Sequence, residues 1–190
     1  MIAADLRRFG ALVIAPVVAV LAACTPAASE PAPTPTPSPS PSQTPFAEKN
    51  AAAIEAYKRY EEMLEETGSK GGFPADDPPD SVLATTMGDE RKLVIEDAVV
   101  LYDAKERTTG SRSARGIELR SSRPVPGAPG GHVVELRACR DLSKLKLQGP
   151  NGSGPVTEAF QEVFPSLYYD ESAPAGWKVA KLRGSQIEKC

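Results

Sequence analysis

The sequence predicts an α+β domain, helices first and an antiparallel sheet afterwards, on three observations. Apolar residues recur every three or four positions between residues 45 and 67. After Gly110 the apolar period drops to two. Proline- and glycine-rich clusters, PGAPGG, GPNGSG and DESAPAG, then punctuate the chain. A period near 3.6 lays one apolar stripe on a helix, and a period of two puts one face of a strand in the core. Helices that precede a meander of half-buried strands cover the apolar face of the sheet.

The first element is a helix over 45–67. Thr44 caps it, Pro45 suits its first turn, and Gly68 is its stop. Phe46, Ala53, Ile54, Tyr57, Tyr60 and Leu64 make its apolar stripe, with Glu48, Glu55, Glu61, Glu62 and Glu65 mostly elsewhere. The loop SKGGFPADDPPD that follows forbids regular structure. Asp80 or Ser81 caps a short second helix through Met87, and Asp89 caps a third to about Lys105. Leu93, Val94, Val99, Val100 and Leu101 are the candidates for burial there. Their β propensity suits a strand as well, but Glu96, Asp97 and Ala98 in the middle favour helix.

Five strands are then expected. They centre on Ile117 and Leu119, on Val134, Leu136 and Ala138, on Leu145 and Leu147, on Leu167-Tyr168-Tyr169, and on Trp177-Lys178-Val179. Residues 46–190 thus form one domain of ordinary size.

The segment before this domain has a different character. Arg7 and Arg8 precede an apolar run from Phe9 to Val20, which ends in Leu21-Ala22-Ala23-Cys24. Basic residues, a short apolar run and small residues at a cut site are the parts of a secretory signal peptide. The run is too short for the roughly 20 residues of a membrane span. Leu21, Ala22, Ala23 and Cys24 resemble the lipobox of bacterial lipoproteins. In that family the cysteine thiol is diacylated and becomes the first residue of the mature chain. The resemblance implies residues 1–23 as signal peptide and Cys24 as the lipidation site, on the outer face of the cell membrane. Arg7-Arg8-Phe9 leaves the twin-arginine export route open beside the general one.

Residues 24–45 continue as a Pro/Thr/Ser tract with proline at nearly every second position from Pro31 to Pro41. With nothing apolar to bury, such a tract is an extended disordered linker rising about 3.1 Å per residue, on the order of 60 Å in all. It resembles the spacers of actinobacterial lipoproteins.

The chain has three cysteines. With Cys24 assigned to lipid, Cys139 and Cys190 remain as an even pair in an oxidising compartment, and a disulfide between them is expected. The formal net charge is −3, with interspersed signs, which argues against nucleic acid as a partner.

The order of elements, together with Val133-Val134-Glu135-Leu136-Arg137-Ala138-Cys139-Arg140-Asp141 and the late Gly176-Trp177-Lys178-Val179-Ala180, resembles the nuclear-transport-factor-2-like superfamily. Ketosteroid isomerase belongs to it. The resemblance implies a curved, cone-like antiparallel sheet around a long first helix, an internal pocket, and a homodimer through the open sheet face. The isomerases of that superfamily set a carboxylate and a tyrosine in the cone, but no acid pair here matches theirs residue by residue.

Candidate chemistry is sparse. Tyr57 faces inward with Ile54, as a core tyrosine or a pocket hydroxyl, and Trp177 opens the last strand; these two are the candidate pocket residues. His132, the one histidine, follows Gly130-Gly131 and is expected on the surface. A transition-metal site is not expected. Asp76, Asp77 and Asp80 lack the spacing of a calcium loop and read as a solvated turn. Asn151-Gly152-Ser153 reads as a turn. No catalytic residue and no cofactor is implied. The expected function is a lipid-anchored envelope protein whose domain, without catalysis, binds a small apolar ligand or an envelope protein. The alternative is an isomerase- or dehydratase-like enzyme acting on an apolar envelope metabolite.

Overall fold

In the computed structural model, residues 47–156 and 158–190 are described. Leu21, Ala22, Ala23 and Cys24, the linker, and Thr44, Pro45 and Phe46 lie outside them. The fold is α+β: three helices, a four-stranded antiparallel sheet and a smaller three-stranded one. Among the described residues no helix is long and apolar enough to cross a membrane.

Helix α1 spans Ala47–Lys70. Ala53, Ala56, Tyr57, Tyr60 and Met63 are its buried stripe, and Ile54 and Leu64 are half-buried beside it. Gly68 does not stop the helix. The chain runs one more turn and ends at Gly71 (φ 82°) and Gly72 (φ 73°). Gly72 N–H donates to the Thr67 carbonyl (3.0 Å) and Gly71 N–H to that of Gly68 (3.1 Å), the two bonds of a Schellman stop. Gly68 is glycine because the first strand crosses there: a Cβ would stand 2.4 Å from Thr108 Oγ1.

Helix α2 is Asp80–Thr85, shorter than expected, with Pro79 rather than an acidic or hydroxyl side chain at its N-cap. Thr86 then leaves the helix to make a parallel bridge with Val179.

Helix α3 runs Gly88–Ala104, so the helical reading of 93–101 holds. Its buried stripe is Glu90, Val94 and Ala98. Leu93 and Val100, expected inside, are 50% and 64% exposed, and Val99 and Leu101 are half-buried. One helix face cannot bury five neighbours out of nine, and here the i, i+4 row wins. The same Schellman geometry closes α3, but with Lys105 in the left-handed region at φ 54°.

The seven strands are β1 Arg107–Thr109, β2 Ser113–Pro124, β3 His132–Asp141, β4 Lys146–Gly149, β5 Gly152–Pro155, β6 Phe160–Tyr169 and β7 Trp177–Gln186. The large sheet has order β2-β3-β6-β7, and the small one β1-β4-β5. Thus β4 and β5 form a hairpin set between β3 and β6, which pair with each other at Val134↔Leu167 and Ala138↔Val163. Strands β1 and β5 carry no period-two apolar signal and were not foreseen.

Even-numbered residues of β3, from His132 to Arg140, are all buried and face the helices. In β2, two register shifts against β3 change the phase of the strand. A bulge inserts an unpaired residue, so side chains beyond it swap faces. Ile117, inside the first shift, packs on the core, while Leu119, expected beside it, pairs with the buried Leu136 yet is 43% exposed on this edge strand.

Cys139 and Cys190 face each other at disulfide distance, with Cα atoms 5.6 Å apart at a sequence separation of 51. The pair fastens the tail after β7 to β3. Cys190→Ser is expected to lower the unfolding free energy by about 2–4 kcal/mol, read by urea denaturation under non-reducing conditions. Lys105→Gly, by relieving the left-handed position, is expected to raise it by up to about 1 kcal/mol in the same assay.

Candidate functional site

Glu61 was expected among the outward glutamates of α1. It is instead 6% exposed, because Arg140 of β3 points at it from the inner face of the sheet. Arg140 Nε donates to Glu61 Oε1 (2.7 Å), and Arg112 Nε, from the bend before β2, stands 3.1 Å from Glu61 Oε2. One carboxylate on a helix thus holds two guanidiniums from the sheet. Burial opposes the Arg140 charge, but Glu61 and the neighbouring tyrosines outweigh it, and its proton is held more tightly than in water. At Arg112 burial prevails over Glu61, and its affinity for the proton falls.

Two tyrosines stand over this triad, their ring centroids 6.0 Å apart. Tyr57 is fully buried. Its hydroxyl meets no partner in hydrogen-bond geometry, and burial, reinforced by Glu61, drives its ionisation far above the ordinary range. Tyr60 donates to Glu90 Oε1 of α3 at 2.5 Å, and burial likewise raises its ionisation. Glu90 is 4% exposed, and its second oxygen, like Nη2 of Arg140, has no hydrogen-bond partner among the described residues.

Tyr60, Glu90, Arg112 and Arg140 form one end of a cleft of about 390 Å³ between α1, α3 and the sheets. Its walls are largely apolar, with Leu64 from α1, Leu93, Val94 and Leu101 from α3, and Leu142, Leu145 and Leu182 from the strand side, beside Thr67, Thr108 and Gln161. Asp97, whose carboxyl is pushed up by burial and by Glu96, lies on the rim with Glu65. A larger depression of about 680 Å³ beside Glu62, Glu66 and β1 is walled mostly by exposed residues. An apolar cleft ending in a few buried polar groups is the usual form of a small-molecule site.

The two sequence-predicted pocket residues fall elsewhere. Tyr57 lies one turn short of the cleft, inside the core, and does not line it. Trp177 is 2% exposed, edge-on to Tyr169 at 5.3 Å and to His132 at 5.9 Å. His132 is a correction. It is 2% exposed rather than on the surface, because β3 begins at His132 and its alternation turns that residue inward. Its Nε2 lies 2.8 Å from Ser122 Oγ, which donates to Asn50 Oδ1 (2.8 Å). Burial first, and Lys49 second, lower its basicity.

Glu61, Glu90, Arg112 and Arg140 were all missed. A signal existed: Glu61 and Glu90 sit at apolar phase, one turn from Tyr57 and from Val94, and Arg140 shares parity with Val134, Leu136 and Ala138. A charge at a core position needs a buried partner, and two of each sign were available.

Removing the hub carboxylate strands two buried guanidiniums. Glu61→Gln is expected to cost about 3–5 kcal/mol in urea denaturation. In a double-mutant cycle with Arg140→Met, the two losses should fall short of additivity by more than about 1 kcal/mol.

No protein-family model and no curated protein matches this sequence. Among solved structures, the intermembrane-space region of the chloroplast protein ARC6 superposes with a TM-score of 0.49 at 10% identity, covering 73% of this chain and 97% of that one.

Proposed function

We propose that this protein is a small-ligand-binding domain held at the outer face of a bacterial membrane by lipid on Cys24. The apolar cleft that ends on Tyr60, Glu90, Arg112 and Arg140 carries the binding half of the reading. Its leucine-rich walls favour an apolar body, and its buried polar end favours a ligand with a hydrogen-bonding head. The tether rests on Leu21-Ala22-Ala23-Cys24 after a short apolar run, and on the proline-rich spacer that follows.

A second reading keeps the isomerase-like class, because a carboxylate and a tyrosine do converge at 2.5 Å on the cleft. It is the weaker one. The Tyr60 proton is engaged by Glu90, and the rise in its ionisation makes it a poor acid toward a substrate.

Two measurements test the proposal. In a bacterial host, a fatty-acid probe is expected to label the chain and to leave Cys24→Ala unlabelled; an unlabelled wild type ends the tether reading. Full-length protein taken from membranes is expected to release a small molecule under denaturing mass spectrometry. A cleft-filling Leu64→Trp variant of unchanged thermal stability should release none, and equal release from both removes the cleft from the proposal.

A further inference from the structure

The buried end of the cleft has two sides of opposite charge. On the strand side, two guanidiniums, Arg112 and Arg140, share the single carboxylate of Glu61, which leaves one positive charge in excess. On the helix side, Glu90 is 4% exposed and forms no ion pair among the described residues. Its one hydrogen bond comes from the neutral Tyr60. Asp97, seven residues along the same helix face, adds to the negative side at the rim, and Glu65 of α1 does so across from it.

A buried charge without a counter-charge is costly, and a buried donor or acceptor left unmade is costly as well. Here both deficits belong to residues that line the same cleft, Arg140 through the donor Nη2 and Glu90 through the acceptor Oε2, each shielded from water and without a hydrogen-bond partner among the described residues. A ligand bearing only an anion would satisfy the arginines and meet Glu90, Asp97 and Glu65 as like charges. A ligand bearing only a cation would leave the guanidinium excess untouched. A head group carrying both answers both deficits at once.

Resting on the small-ligand reading above, we infer that the cleft takes a zwitterion with an apolar body, of the size and chemistry of a free apolar α-amino acid. Its ammonium pairs with Glu90, its carboxylate faces Arg112 and Arg140, and its side chain lies among Leu64, Val94 and Leu101.

Three matched probes separate the heads: L-phenylalanine, phenethylamine and 3-phenylpropanoate, titrated by calorimetry into the full-length protein in non-ionic detergent. Phenylalanine is expected to bind at least ten-fold more tightly than either single-charge analogue. Glu90→Gln should bring phenylalanine down to the level of 3-phenylpropanoate, and Arg112→Gln should bring it down to that of phenethylamine. Two variants on opposite sides of the cleft keep the test intact should one fail to fold. Equal binding of either analogue overturns the zwitterion while leaving the cleft a binding site, as does indifference to both substitutions. Failure of all three probes, with ligand released from the membrane-purified protein, overturns the amino-acid class alone. Failure of all three with no released ligand overturns the binding reading as well.

Discussion

One carboxylate organises the middle of this protein. Glu61, in the third turn from the C-terminal end of α1, receives Arg140 from β3 and Arg112 from the bend leading into β2. Apolar burial alone lets a helix slide or rotate on a sheet, because dispersion and water exclusion have little direction. A carboxylate gripped by two guanidiniums does have direction. Since either partner alone would be a stranded charge in the core, the register of α1 on the sheet is tied to the position of two strand-side residues.

From that anchor the rest of the site follows. With Glu61 placed, Tyr60 turns toward α3 and meets Glu90, while Tyr57 stays behind in the core. Gly68, two turns on, lets β1 pass directly over the helix, and so brings Thr108 and Leu145 to the far wall of the cleft. The exposed Leu93 and the half-buried Leu101 then make sense as its walls on α3 rather than as failed core residues. The opposite end of α1 has a different polar set, in which Asn50, Ser122 and His132 are joined around Trp177 and Tyr169.

Apolar residues fill most of the interior, yet Glu61, Glu90, Arg140, His132 and Thr86 are buried too. Thr86 donates to the Val82 carbonyl (2.5 Å), and His132 rests on Ser122. Those contacts are local and read as structural. Glu90 and Arg140, which line the cleft, each keep an oxygen or nitrogen without a hydrogen-bond partner among the described residues.

Local periodicity was enough to determine the α+β class, the long first helix and the inner face of β3, because each depends on repeats within one segment, and Glu96, Asp97 and Ala98 decided the helical state of 93–101. The Cys139 and Cys190 pairing was reachable by parity once Cys24 was set aside as the expected lipidation site. Wherever a distant partner rewrites a local preference, the sequence did not name that partner. Gly68 looks like a stop and is a crossing point, since its meaning lies in Thr108. Leu119 looks internal and is 43% exposed, since β2 is an edge strand and leaves it uncovered although it pairs with the buried Leu136. His132 looks like a turn residue and is core, since β3 begins one residue after Gly131. Glu61, Glu90, Arg112 and Arg140 come from four separate parts of the chain, and only the packing of α1 and α3 on the sheet brings them together. Charges separated by dozens of residues carry no spacing signal, so their convergence was the tertiary structure's to decide.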